Sequence, residues 1–251
     1  MPHDELTYEQ RDRAESFGAV AADYDTFRPS YPAALIDDLM AAGPVDVLDI
    51  GCGTGKATRL FADRGARVLG VEIDAAMAAV ARSHGLSIEV SGFEEWDDRG
   101  RTFDLIACAQ AWHWVNPVVA GPKAARLLNA GGTLALFWNI DELAADVWTV
   151  VEEVYGRVAP ELIRPRTAGD DQTHLRELQA AGGFGSVEAV TYPGERVWSV
   201  DNWIGQVSTQ SNHLLLGPRL PGVLAELRAA LLEWGCEIRS TGGTYLIRAR
   251  V

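Results

Sequence analysis

The residues best placed to do chemistry are a glycine-rich turn and the acids spaced around it. In VLDIGCGTGKAT, residues 47–58, an apolar run ends at Ile50, and Gly51, Cys52, Gly53, Thr54 and Gly55 lead straight into helix-forming residues. Glycines in such a turn let the chain reverse tightly and let a ligand approach the backbone. Asp49 precedes the turn. Glu72 closes the next apolar run, RVLGVE, and Phe93-Glu94 follows the one after. A carboxylate at the end of the second strand of a strand–helix–strand unit accepts hydrogen bonds from both hydroxyls of an adenosine ribose. One beyond the third strand accepts from an exocyclic amino group such as adenine N6. The spacing departs from the dinucleotide fingerprint G-x-G-x-x-G, because Lys56 stands where the third glycine belongs. It is not a P-loop either, since Ala57 replaces the magnesium-binding hydroxyl after Lys56.

Positioning these groups requires alternating strands and helices. Val45–Ile50, Arg67–Glu72, Leu86–Val90, Phe103–Ala109 and Gly132–Trp138 read as buried strands, with helices at Thr54–Arg64, Ala75–Ser83 and Val118–Leu128. Continuous apolar strands between helices imply a parallel sheet covered on both faces, with ligands at the carboxyl ends of the strands. After Asn139 the rhythm changes. Helices are expected at Ala145–Val158, His174–Ala181, Trp203–Ser211 and Val223–Trp234, and strands at Val187–Val197 and Thr244–Val251. The Gly242-Gly243 pair reads as a turn before the last strand, which is expected to pair with Val187–Val197 at the sheet edge. The fold class is therefore α/β, a doubly wound, mostly parallel seven-stranded sheet with an antiparallel last strand. Nothing reads as a linker, so residues 1–251 are expected to form one domain.

Composition narrows the partners. The chain has 251 residues, 35 acidic against 22 basic, and a formal net charge of -13. That balance disfavours a phosphate-reading nucleic-acid protein and attraction to an anionic membrane. Cys52, Cys108 and Cys236 are too widely spaced for a zinc site or a disulfide framework, and fit a reducing compartment. No His, Cys, Asp and Glu cluster has metal-ligand spacing, so no metal is expected. The first 17 residues lack the apolar run of a signal peptide, and no apolar stretch approaches the ~20 residues of a membrane span. The expected location is cytoplasmic. The sequence sets no oligomeric state.

At these residues the chain resembles the class I S-adenosylmethionine-dependent methyltransferases. The resemblance is carried by DIGCGTG at 49–55, GVEID at 70–74, GFEEW at 92–96, FDLIACAQAWHWV at 103–115 and LLNAGGTLALFWN at 127–139. FGAVAADYDTFRPSYP near the N-terminus, AQAWHW and the later STQS look like a small-molecule branch that includes carboxyl-methylating enzymes of the trans-aconitate type. The resemblance implies a Rossmann-like fold and S-adenosyl-L-methionine as methyl donor, with S-adenosyl-L-homocysteine as product. It implies that Asp49 orients the loop and the methionine ammonium, that Gly51, Gly53 and Gly55 pass beneath methionine and ribose, and that Glu72 binds the ribose. Ile73 would lie against adenine, with the Phe93 amide at N1 and Glu94 at N6. Ala109 and Gln110 would flank the methionine. Residues 1–43 would form a lid whose Tyr24 and Arg28 meet the cofactor, residues 44–139 the cofactor half, and residues 140–251 the acceptor half.

The acceptor side is less patterned. Methyl transfer from a sulfonium needs positioning, and for a hydroxyl acceptor also a base. His113 is the leading base, since it lies just past the fourth strand and titrates near neutrality; packing between Trp112 and Trp114 is the other reading. Tyr31, Trp112, Trp114, Trp138, Asn139 and Trp203 are candidates for the acceptor pocket, although tryptophans commonly serve the core. Ser208 opens the polar stretch Ser208–His213, which either faces the acceptor or caps a helix end. Arg28 pairs with the methionine carboxylate, with an acidic substrate, or with solvent. The expected reaction is methylation of a small molecule, first at a hydroxyl or carboxylate oxygen, then at nitrogen or carbon; the alternative is a cofactor-binding protein of the same fold without turnover.

Overall fold

The computed structural model describes residues 15–163 and 172–251. Residues 1–14 of the expected lid lie outside the described part. Seven strands form one sheet: β1 (Asp46–Ile50), β2 (Arg67–Glu72), β3 (Ser87–Val90), β4 (Phe103–Ala109), β5 (Leu128–Leu143), β6 (Ser186–Ser199) and β7 (Glu237–Arg250). Their order is β3-β2-β1-β4-β5-β7-β6. The first five pair in parallel, and β7 runs antiparallel to both β5 and β6. This is the doubly wound sheet that the sequence predicts. The last strand is interior, however, and β6 forms the edge.

Helices α1 (Ala21–Phe27) and α2 (Ala33–Met40) precede β1, and α3 (Lys56–Ala62), α4 (Ala75–Ser83) and α5 (Pro117–Leu127) connect the parallel strands. Strand side chains alternate between faces. Val47, Leu105, Ala107, Ala135 and Phe137 therefore meet Leu35, Ile36, Leu39 and Phe61 of α2 and α3 on one face. Leu48, Ile106, Cys108, Leu134 and Leu136 pack on the other face with Ala120, Ala124 and Leu127 of α5 and with Leu178 of α7 (Gln172–Ala181). A separate apolar cluster joins α6 (Ala145–Val158), α8 (Val200–Ser208) and α10 (Leu220–Trp234), through Val151, Tyr155, Trp203, Val207 and Leu227. The helix expected over Trp203–Ser211 ends at Ser208, and a separate short turn of helix, α9 (Ser211–Leu214), follows it.

Two expectations at the far side of the sheet are corrected. β5 continues five residues past Trp138, to Leu143, and Gly242-Gly243 lies inside β7 rather than in a turn before it. The register places Ile140 and Pro193 on either side of Gly243. Gly242 and Gly243 adopt φ of 142° and 140°, and a Cβ there would stand 2.1 Å from the carbonyl oxygens of Ile140 and Tyr192 respectively. The pair lets three strands run on together beyond the parallel part of the sheet, where a turn signal alone would have ended them. This extension carries α6, α8 and α10 up beside the carboxyl ends of the parallel strands. Among the described residues no helix is long and apolar enough to cross a membrane.

Candidate active site

The turn after β1 is held by its own backbone. Gly51 N–H and Cys52 N–H both donate to Val71 O, at 2.8 and 3.2 Å. Gly51 and Gly55 have φ of 61° and 83°, and a Cβ at either would strike Ala111 Cβ at 2.5 Å or Leu86 Cδ1 at 2.3 Å. The turn therefore needs glycine for conformation and for space. Glu72, at the end of β2, is 6% exposed. Its Oε2 accepts from Gly53 N at 2.7 Å and its Oε1 from Asp74 N at 2.9 Å. Each oxygen keeps a further lone pair. Burial raises its carboxyl above the ordinary range, against the lowering effect of those two amides.

Asp49 is fully buried beneath the turn. Its Oδ2 accepts from Thr58 Oγ1 at 2.6 Å, while Oδ1 has no partner among the described residues. Burial pushes its carboxyl up to about 7, against the Thr58 hydrogen bond and with the Glu72 charge adding to the rise. An unpaired buried carboxylate oxygen is costly unless a donor or a cation meets it. Cys52 is small and buried, and burial drives its thiol well above the ordinary range, which leaves it a packing residue rather than a nucleophile.

A cavity of about 330 Å³ opens over this turn, at the carboxyl ends of β1, β2 and β4. It is lined by Tyr24, Arg28, Gly51, Gly53, Glu72, Ile73, Phe93, Glu94, Ala109, Gln110, His113 and Trp114. A smaller pocket of about 30 Å³ on the other flank of the turn adds Tyr31 and Asn139, and shares Tyr24, Arg28, Gly51, Gly53, Ala109 and Gln110. Gln110 sits at φ 59°, unusual for a residue with a side chain, and is held there by Gln110 N–H donating to Phe137 O at 2.9 Å. Asp49 and Gly55 support the turn from behind and do not line the large cavity.

Acids and lid are tied down by side chains that sequence reasoning passed over. Lys123 Nζ donates to the carbonyls of Phe93 at 2.7 Å, Glu94 at 3.3 Å and Trp96 at 2.6 Å, and so shapes the 92–96 loop from α5. Glu94 Oε1 accepts from Asn116 N at 2.8 Å, which occupies part of the carboxylate expected to meet an amino group. Asp74 caps α4 through Ala76 N and Met77 N, and takes Gly18 N–H at 2.8 Å from the lid. Asp25 pairs with Arg59 and lies 2.9 Å from His84, and its carbonyl receives Lys56 Nζ at 2.6 Å. Arg28 stands 5.1 Å over the Tyr24 ring and donates to Thr209 Oγ1 and O, at 2.9 and 2.8 Å. Phe17 meets Tyr24 and Trp114 edge-on and closes one wall.

Several acceptor candidates are elsewhere. The helical turn at residues 112–114 sends Trp112 inward, 1% exposed with Nε1 unpartnered among the described residues, while His113 and Trp114 face the cavity. Trp138 is buried on the α5–α7 face and stacks on His174 at 5.2 Å, because its strand position alternates away from the site. Ser208 spends its hydroxyl on Gly205 O at 2.8 Å and lines neither cavity at the turn. Its neighbours Gln210, Ser211 and Asn212 take the cavity wall instead, since α8 ends at Ser208 and the chain turns into α9. Trp203 lines a second cavity, of about 610 Å³, between β5 and the α6–α8 pair. Asn139 is held by Thr244 Oγ1 at 2.7 Å and Arg196 at 3.1 Å. Polar residues after a helix gave the signal for Gln210–Asn212; nothing local marked Lys123 or Phe17.

Comparison with known proteins agrees with this geometry. Residues 48–136 match the family described as "Methyltransferase domain". An uncharacterized methyltransferase of Mycobacterium tuberculosis is 37% identical over 157 residues, covering 61% of this chain and 63% of that protein, just under two thirds of the relative's length. A methyltransferase-like protein of Schizosaccharomyces pombe is 26% identical over 197 residues, 74% of either chain. Among solved structures, a candidate type II methyltransferase from Anaeromyxobacter dehalogenans superposes with a TM-score of 0.63 at 25% identity, over 89% of this chain and 97% of that one. A phosphoethanolamine N-methyltransferase from Haemonchus contortus, solved with S-adenosyl-L-methionine, shares the fold at a TM-score of 0.55 and 16% identity, over 97% and 59% of the two chains.

Proposed function

We propose that this chain transfers the methyl group of S-adenosyl-L-methionine to an oxygen of a small molecule, leaving S-adenosyl-L-homocysteine. The observation that carries the reading is the Glu72 carboxylate, buried in the cavity wall and oriented by Gly53 N and Asp74 N with lone pairs to spare. A ribose diol offers two donors to such a group. Asp49 lines neither cavity, so its unpartnered oxygen would reach a methionine ammonium only through a bound water that supplies the missing donor. Ile73 and Phe93 supply apolar surface for a purine, and one Glu94 oxygen remains for an amino group.

The donor supplies an activated methyl: a bond forms from the acceptor oxygen to the methyl carbon, the carbon–sulfur bond breaks with its electron pair going to sulfur, and a hydroxyl acceptor loses its proton. The chain's residues bind, orient and exclude water. Phe17, Tyr24 and Arg28 line the cavity, which supports a lid within residues 1–43, beside a cofactor half over 44–139 and an acceptor half over 140–251. His113 lies in the same cavity and is the group to take a hydroxyl proton; a carboxylate acceptor, as in the trans-aconitate-type branch, needs no base. The excess of acidic over basic residues, a net charge of -13, supports a small acceptor rather than nucleic acid or membrane.

Calorimetry with S-adenosylmethionine, S-adenosylhomocysteine and NAD tests the reading. Binding of the first two without the third is expected. NAD binding with no affinity for either sulfur compound would sink it.

A further inference from the structure

Asp49 is fully buried, and one of its carboxylate oxygens meets no donor among the described residues. We infer that Asp49 stands as a neutral acid in the ligand-free protein and yields its proton to solvent when the ammonium at the donor's methionine end arrives. The site then takes its ligand in exchange for a proton, and favours ligands that carry an ammonium over those that do not; this rests on the methyl-transfer reading above.

The surroundings decide the charge. In the sheet Asp49 lies level with Gly70 of β2 and Ala107 of β4, which bring no charge. From α3 the Thr58 hydroxyl donates to Oδ2 at 2.6 Å, a neutral partner. The titratable groups that interact with Asp49 are themselves acids: Glu72 of β2, Tyr31 ahead of α2, Cys52 of the turn and Cys108 of β4. The cations of α3 and the lid are engaged elsewhere, Lys56 and Arg59 on Asp25 and Arg28 on Thr209. A buried carboxylate without a counter-charge is more costly than the neutral acid. Water at Oδ1 solvates the group but leaves the Glu72 charge unopposed. The carboxyl accordingly titrates at about 7, with burial as the main cause.

Charge in the cavity reaches this group although its side chain lines no wall. Glu72 lines the large cavity and Tyr31 the small pocket, and each interacts with Asp49 across the turn. An ammonium in the same space acts on Asp49 with the opposite sign, and a nearby positive charge favours the ionised form of a carboxyl. Ligand binding therefore converts the acid to the carboxylate, and the proton passes to solvent. By linkage, raising the pH through about 7 strengthens binding, because less proton remains to be displaced. Glu72 differs in kind. Two backbone amides already favour its charged form, and the ribose diol it would receive carries no charge. The exchanged proton thus belongs to Asp49.

The test titrates the full chain calorimetrically at pH 6.5 in phosphate and in imidazole, buffers that differ in their heat of ionisation. The ligands are S-adenosylhomocysteine and 5′-methylthioadenosine, which keeps purine, ribose and thioether but lacks the ammonium. At least about half a proton is expected to leave per S-adenosylhomocysteine bound, and none per 5′-methylthioadenosine. Glu72 and His113 line the cavity for either ligand, so a proton of theirs would be exchanged with both. S-adenosylhomocysteine affinity is expected to fall roughly tenfold from pH 8 to 6, and that of 5′-methylthioadenosine less than twofold. Asp49→Asn should abolish the release. Thr58→Val removes the hydrogen bond that favours the carboxylate, and should move the pH dependence to higher pH with the release retained. The inference is overturned if S-adenosylhomocysteine binds with no proton released, if both ligands release equally, if the release persists in Asp49→Asn, or if Thr58→Val leaves the pH dependence in place. Failure of both ligands to bind is a distinguishable result, and it removes the methyl-transfer reading together with this one.

Discussion

Gly53 and Glu72 are joined by a 2.7 Å hydrogen bond in which the turn's backbone amide donates to the Glu72 carboxylate. One link therefore sets both the shape of the glycine turn and the orientation of the acid expected to bind the ribose. Glu72→Gln keeps the size and removes the charge. Charge-assisted hydrogen bonds contribute about 1.5–3 kcal/mol each, so S-adenosylhomocysteine binding is expected to fall at least tenfold by calorimetry. Unchanged affinity would dissociate Glu72 from the ligand.

Asp49 makes stability depend on pH. Its carboxyl titrates near 3.8 in the unfolded chain and is raised to about 7 in the fold. Between those values the folded state binds more protons than the unfolded one, so the contribution of this group is fully present below about 4 and is lost as pH rises to about 7. The span corresponds to up to about 4 kcal/mol, at ~1.36 kcal/mol per pH unit. Relative to wild type, Asp49→Asn should therefore gain stability as pH rises from 4 to 8 and change little above that. Urea midpoints of both proteins at several pH values check this; a constant difference would contradict the assignment.

Lys123 holds three carbonyls of the 93–96 loop from a helix 27 to 30 positions away. Lys123→Met retains the stem and removes the ammonium. A loss of about 2–3 kcal/mol in urea denaturation is expected, from one charged donor removed and carbonyls left unpaired. Cofactor affinity should fall with it, because Phe93 and Glu94 lose their support.

Arg28 connects the end of the lid to Thr209 through two hydrogen bonds. With Arg28→Ala, amide hydrogen exchange over residues 17–28 should accelerate, and KM for donor and acceptor should rise together. Protection equal to wild type would show that the Asp25 and Asp74 contacts hold the lid unaided.

His113 is tested by His113→Gln across pH 6–9 with saturating donor. A fall in kcat of roughly 10²–10⁴-fold is expected of a lost general base. Near-wild-type turnover would leave His113 as a wall of the cavity.

Much of this molecule was legible in its sequence, for physical reasons that particular residues illustrate. Apolar runs separated by helical periodicity set β1 to β5, and Arg67–Glu72, Ala75–Ser83, Phe103–Ala109 and Ala145–Val158 begin and end where patterning places them. Local chemistry also marked the turn, because only glycine fits φ values of 61° and 83° against Ala111 and Leu86. The acids that close adjacent parallel strands must share the carboxyl edge, so Glu72 and Glu94 meet one cavity without any long-range information.

What depends on distant packing was decided only by the tertiary structure. Whether Trp112, Trp114 or Trp138 faces a ligand turns on a short helical turn and on strand alternation, not on residue type. Gly242-Gly243 carries the same dipeptide signal in a turn as inside a strand, and only its neighbours Ile140 and Tyr192 distinguish the two. Lys123 and Arg28 act on carbonyls and hydroxyls tens to hundreds of positions away. The sequence by itself determined the sheet, the glycine turn and the acids of the cofactor cavity, because these follow from local periodicity and backbone sterics. The tertiary structure decided the second cavity and the placing of Gln210 and Asn212 in the wall it shares with the cofactor cavity, because they exist only where β5, α6, α8 and α9 meet.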